Sequence, residues 1–158
     1  MTESIVVAIC ISPEAGAPMQ KIETVEAIAG AGLQGDRYAK AEGSFNRGRP
    51  GKRQVTLINA KFFSGSGFEY LDCRRNIIAS GVELMWLIGK EFRVGTALFR
   101  GVMYCDPCTR PNKLGGEKLL SAPPFKEAFH ELGGLIAEIT EGGMISVGCK
   151  IIPPPKGY

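Results

Sequence analysis

Gln54-Val55-Thr56-Leu57-Ile58 is a short run, rich in β-branched residues and flanked by the polar Arg53 and Asn59, and it reads as a β-strand. Asn59 would cap a short helix carrying Phe62 and Phe63, and Gly65-Ser66-Gly67 makes a poor helix interior. Upstream, Ile5-Val6-Val7-Ala8-Ile9 repeats the strand pattern and is ended by Ser12-Pro13. Lys21 to Ile28 alternates as a half-buried strand and runs into Gly30, Gly32 and Gly35, a turn that presents Asp36-Arg37. Lys40 to Lys52 is the most loop-like stretch and would serve as a lid. Downstream, Asp72 to Ala79 reads as a strand and Glu83 to Ile88 as a strand or helical turn. Glu91 to Tyr104 reads as two strands joined at Gly95-Thr96, and Leu135–Thr140 with Met144–Val147 as a hairpin closed at Gly142-Gly143. One helix is expected, from Pro123-Pro124 to about Leu132, stopped by Gly133-Gly134. Many short strands and few helices predict a mainly β fold, a closed or partly open β-barrel of short strands with a few peripheral helices.

Composition supports this class. The chain has 158 residues, the size of one domain, 1–158, and its 21 Gly and 10 Pro suit tight turns between strands. Hydrophobic residues at 44% and charged residues at 22% are globular values that argue against disorder. A net charge of +3, with its Lys and Arg dispersed, does not make a nucleic-acid surface. No apolar run is long enough to span a bilayer and no signal peptide is recognisable, so the expectation is a protein away from the membrane. The odd count of 5 cysteines suits the reducing cytoplasm.

Cys105-Asp106-Pro107-Cys108 follows an apolar strand and precedes Thr109-Arg110-Pro111, where a scaffold strand hands over to a turn. A thiolate is the nucleophile and metal ligand, nearby positive charge favours it, and Pro107 restricts the backbone that carries Cys108. A C-x-x-C pair is equally half of a zinc site, a redox couple or two cysteines without chemistry. A second C-x-x-C is absent and His130 is the only histidine, so a zinc site would need distant pieces. Arg74-Arg75-Asn76 lies in an expected strand, where alternation would put Arg74 and Asn76 on one face and Arg75 on the other. The planar fork of arginine matches phosphate oxygens and asparagine can pair with a heterocycle edge; the alternative is a structural salt-bridge network. Arg47, Arg49, Lys52 and Arg53 form a basic cluster, either a solvated loop or a rim that steers anions.

Taken together, Gly32-Leu33-Gln34-Gly35-Asp36-Arg37-Tyr38, Gln54–Ile58, Arg74-Arg75-Asn76-Ile77 with Gly81-Val82, Asp106-Pro107-Cys108, Gly133-Gly134-Leu135 and Gly142–Gly148 resemble the MOSC family. The resemblance runs from about Ile5 to Ile151 and implies a barrel like that of pyruvate kinase. It also implies a molybdenum-cofactor-binding domain, acting in sulfur transfer to the cofactor or redox chemistry at it. Cys108 would be the sulfur carrier or the molybdenum ligand, with Arg74, Arg75, Asn76, Asp36, Arg37 and Thr109 as cofactor contacts. No pyridoxal phosphate site is implied in this chain, so a cysteine desulfurase or other donor would supply sulfur, with a molybdoenzyme or reductase as a further partner. Leu132 and Cys149 depart from the family's arginine before the Gly-Gly pair and aspartate after the last glycine, which would leave part of an anion-binding or structural network missing. The alternative function is a non-catalytic binding module for the cofactor or another anionic ligand.

Overall fold

The computed structural model of the chain describes residues 3–41, 51–108, 110–115, 119 and 124–155. Its strands are β1 (Ile5–Ile11), β2 (Gln20–Ile22), β3 (Thr24–Ile28), β4 (Gly32–Leu33), β5 (Val55–Asn59), β6 (Ile77–Ser80), β7 (Glu91–Val94), β8 (Ala97–Tyr104), β9 (Leu135–Glu141), β10 (Gly143–Ser146) and β11 (Ile151–Ile152). Two short helices, α1 (Arg110–Leu114) and α2 (Phe125–Ala128), and several single 3-10 turns join them. An eight-stranded sheet has the order β11-β7-β8-β9-β5-β6-β1-β2, and a three-stranded sheet the order β10-β3-β4.

The strand Val55–Asn59 sits in the middle of the large sheet, parallel to β6 and antiparallel to β9. Both of its faces are covered, which is why it reads as a nearly continuous apolar run. Val55 and Leu57 join Val6, Ile9, Phe92, Phe99 and Ile139 in a core closed from the other side by Val25, Leu33 and Ile145 of the small sheet. Ile58 and Ile78 face the opposite way into a second core with Phe63, Phe68, Phe125 and Phe129. There Phe125 stacks on Phe129 at 4.4 Å, so α2 is held by its rings. Among the described residues no helix is long and apolar enough to cross a membrane.

Several expectations change. Among the described residues no sheet closes into a barrel. End strands β2 and β11, of three and two residues, are too short for a continuous ladder. Instead the start of β1 is stitched to the segment before β11 by a bridge between Ile5 and Lys150, with Val6 N donating to Cys149 O (3.0 Å). The expected strand Lys21–Ile28 breaks at Glu23, leaving β2 in the large sheet and β3 in the small one. The expected Leu135–Val147 hairpin does not form. At Gly142-Gly143 the chain crosses between sheets, β9 pairing with β8 and β5 while β10 pairs with β3. A Cβ on Gly143 would meet Ala97 N at 2.6 Å, so the crossing needs glycine. The expected helix ending near Leu132 is a single turn, Phe125–Ala128, and Pro123 lies outside the described residues. The expected strand from Asp72 begins only at Ile77. Glu69 and Asp72 form a reciprocal capping box around a 3-10 turn at Tyr70–Cys73, and Arg74 closes it in the left-handed region at φ 61°.

Asn76 follows that turn and is fully buried. Its side-chain oxygen accepts from Thr56 N (3.0 Å) and Thr56 Oγ1 (3.2 Å), and its amide donates to Cys10 O (3.1 Å). It thus ties β5 to β1 across β6. Asn76→Ala is expected to lower stability by about 2–3 kcal/mol by leaving buried partners unsatisfied, read as a shifted urea midpoint at unchanged m-value.

Candidate functional site

Where the chain leaves β8, Cys105 N donates to Gly134 O (2.9 Å), so the β8–β9 ladder runs one residue further before the turn begins. Arg75 then clamps that turn. Its Nε donates to Gly133 O (2.8 Å), one terminal nitrogen to Cys73 O (3.3 Å) and the other to Asp106 O (3.2 Å). Gly133 packs so tightly against the turn that a Cβ would collide with Cys105 O and lie 2.8 Å from Pro107 N. Cys105 is fully buried, its sulfur accepting from Arg53 at 3.5 Å. Cys108, past the clamp, is partly exposed.

The opposite wall comes from the 3-10 turn Arg37–Lys40. Asp36 caps it, accepting from Tyr38 N (3.3 Å) and, through its other oxygen, from Ser12 N (2.9 Å) and Arg37 (3.0 Å). Arg37 also donates to Tyr38 Oη (3.2 Å) and to Arg74 O (3.4 Å). Arg53, immediately before β5, donates through Nε to Tyr38 Oη (3.3 Å). Burial works against the Arg53 charge, but neighbouring Tyr38 and Cys105 leave its pKa raised.

These walls enclose a cavity of about 280 Å³ lined by Arg37, Tyr38, Arg53, Arg74, Arg75 and Cys108, with Asp106 the only acidic residue lining it among the described residues. Cys73, Met103, Tyr104, Pro111 and Ile136 also line it. Of the residues singled out in the sequence, Cys108, Arg74, Arg75 and Arg37 share this one cavity, although Arg75 directs its donors to backbone carbonyls. Asn76 and Asp36 do not line the cavity. The left-handed residue at Arg74 breaks the alternation that would have placed Asn76 beside it, and the carboxylate of Asp36 is occupied in holding Arg37. Thr109, Arg47 and Arg49 lie outside the described residues. Tyr38 was not singled out by itself, and Arg53 appeared only as part of a basic cluster. The signal for both was adjacency: one follows Asp36-Arg37, the other precedes the central strand. Leu132 packs against the second core and Cys149 against the first, so neither departure from the family pattern touches the cavity wall.

The five cysteines are free thiols in different settings. Burial pushes the Cys10 thiol up to about 11 and the Cys73 thiol up to about 12. Among the described residues no group of three or more His, Cys, Asp or Glu side chains could hold a metal ion. In native protein at pH 8, iodoacetamide is expected to modify Cys108 and spare Cys10 and Cys73, as peptide mass spectrometry will read. Below about pH 8 these two thiols are neutral in folded and unfolded chains alike. Above it the unfolded chain loses protons that the folded one retains, so stability should fall progressively as pH rises toward 11 and 12.

The family model of the MOSC domain matches residues 53–152, a span that holds Arg53, Arg74, Arg75 and Cys108 and begins after Asp36-Arg37-Tyr38. No curated protein matches the sequence. Among solved structures, the chain is similar to the YuaD protein from Bacillus subtilis, with a TM-score of 0.74 at 15% identity over 95% of this chain and 94% of that one. It is also similar to YiiM from Geobacillus stearothermophilus, with a TM-score of 0.69 at 14% identity over 98% of this chain and 77% of that one. For YiiM from Escherichia coli the TM-score is 0.62 at 14% identity, over 98% and 71%. At such identities the likeness is one of fold, whereas the family model covers well over half the sequence. The chain belongs to the MOSC domain family.

Proposed function

We propose that this protein binds the molybdenum cofactor in the cavity between the Arg37 turn and the Cys108 loop, and that Cys108 is the thiol that carries sulfur there. The observation that carries this reading is the convergence of Arg37, Arg53, Arg74 and Cys108 on one cavity with a single carboxylate among the described residues. The donor set fits the cofactor. Guanidinium groups suit its phosphate, and a thiolate suits a soft metal such as molybdenum. A metal held at Cys108 would have to bring most of its ligands with it, because among the described residues no group of three or more His, Cys, Asp or Glu side chains could hold a metal ion. When bound, the cofactor would supply such a metal, able to undergo redox chemistry or sulfur exchange beside Cys108. The cavity of about 280 Å³ is at the small end of ligand pockets, so it would enclose part of such a molecule.

The chain's own residues account for the sulfur-carrying step. The Cys108 thiolate attacks the outer sulfur of a donor persulfide, a new S–S bond forms, and the donor's thiolate departs, leaving Cys108 as a persulfide with no net oxidant consumed. Arg53 and Arg74 line the same cavity as Cys108 and supply positive charge there. A cysteine desulfurase is the fitting donor, and its docking would use the open side on which Cys108 is partly exposed.

Protein purified from a host that makes the cofactor should carry close to one molybdenum per chain, and Arg53→Ala or Arg74→Ala should reduce this more than tenfold. Incubation with an active desulfurase and cysteine should add sulfur to Cys108, seen by mass spectrometry and absent in Cys108→Ser. Molybdenum content at background would sink the cofactor reading, and no added sulfur would sink the carrier role. Bound molybdenum without added sulfur would instead establish a binding module.

A further inference from the structure

Tyr38 is 4% exposed and lines the cavity, and two arginines meet at its hydroxyl oxygen: Arg37 at 3.2 Å and Arg53, through Nε, at 3.3 Å. A guanidinium has donors and no acceptor, so the oxygen accepts in both bonds. Its two lone pairs are then engaged, and its own O–H must point elsewhere. Among the described residues the hydroxyl donates to no acceptor. The ring is fixed as well, with the Arg37 guanidinium 4.3 Å and the Arg53 guanidinium 5.6 Å from its centre. A buried hydroxyl held this rigidly, with its proton unassigned beside a cavity, requires an acceptor from whatever fills that cavity.

We propose that Tyr38 is a ligand-binding residue whose hydroxyl donates a hydrogen bond to an anionic oxygen, making this part of the cavity selective for phosphate-like oxyanions. The inference deepens the cofactor reading and rests on it only for the position of the ligand. Arg37 and Arg53 both donate to the phenol, so it keeps its orientation when Arg53 is replaced and offers one directed donor where the arginines supply diffuse positive charge. A ligand with an oxygen acceptor satisfies the O–H, whereas a ligand presenting a cation or an N–H leaves it without a partner and faces the guanidinium charge.

The test uses the full chain with inorganic phosphate as probe and calorimetric titration as readout, comparing wild type, Tyr38→Phe, Arg53→Gln and the double variant. Tyr38→Phe keeps the ring beneath both guanidinium groups, and thermal unfolding checks that each variant is folded. A hydroxyl that itself donates to the anion predicts about tenfold weaker phosphate binding on its loss, both in the wild-type background and in the Arg53→Gln background. A loss that vanishes when Arg53 is already replaced would mean that Tyr38 only positions Arg53, and would overturn the proposal. So would unchanged affinity, or wild type that does not take up phosphate. A fluorine label on the Tyr38 ring of the otherwise unaltered chain gives a second reading that needs no substitution: its resonance should move on phosphate saturation, and a fixed resonance would count against the hydroxyl. If the purified protein carries no molybdenum while the phosphate pattern holds, the cofactor reading falls and the Tyr38 donor stands.

Discussion

The Arg75 guanidinium is the contact on which the rest of the site depends. It is 4% exposed and bonds to the backbone carbonyls of Cys73, Asp106 and Gly133, three segments far apart in the chain. A buried cation is expensive to desolvate and tolerable only with its donors satisfied, so this geometry admits little variation. The turn after Cys73, the loop leading to Cys108 and the glycine pair before β9 are held in one arrangement. The Phe125 ring, 5.8 Å from the guanidinium, shields it from the side of the second core. The loop bearing Cys108 is therefore braced from beneath, while Cys108 itself is partly exposed at the cavity.

Three consecutive residues around this contact do three different things. Arg74 faces the cavity, Arg75 joins backbone segments and Asn76 ties β5 to β1. What separates them is the left-handed backbone at Arg74, which ends the 3-10 turn before the strand begins. The charges divide in the same manner at Asp36-Arg37. Asp36 neutralises Arg37 and holds the turn, while Arg53 approaches Tyr38 and Cys105 without bonding to that carboxylate.

Much of the architecture was legible in residue order. The β-branched runs at Ile5–Ile11 and Val55–Asn59, and the pair joined at Gly95-Thr96, are strands because their apolar residues are packed on both sides or alternate against one core. Tertiary partners were not legible. Gly142-Gly143 has the local chemistry of a hairpin turn, and only the presence of β3 and of the Thr96–Ala97 backbone makes it a crossing between sheets. Glu69 and Asp72 formed a capping box that an extended reading of Asp72–Ala79 overlooked. In the site, Cys108, Arg74 and Arg37 could be named from their motifs, whereas Tyr38 and Arg53 acquire meaning only when β5 brings them together.

The cavity takes its walls from Arg37, Tyr38 and Arg53 early in the chain and from Cys108, Pro111 and Ile136 much later. The brace under the Cys108 loop includes Gly133 O, and the ladder that begins that loop includes Gly134 O. During synthesis from the amino end, residues 37–108 therefore emerge before the segment that gives the pocket its back wall. A nascent chain that has reached Cys108 has the thiol and the arginines but no enclosure to hold a ligand among them. The enclosure forms only once β9 has arrived, which makes assembly of this pocket a late event in the life of the polypeptide.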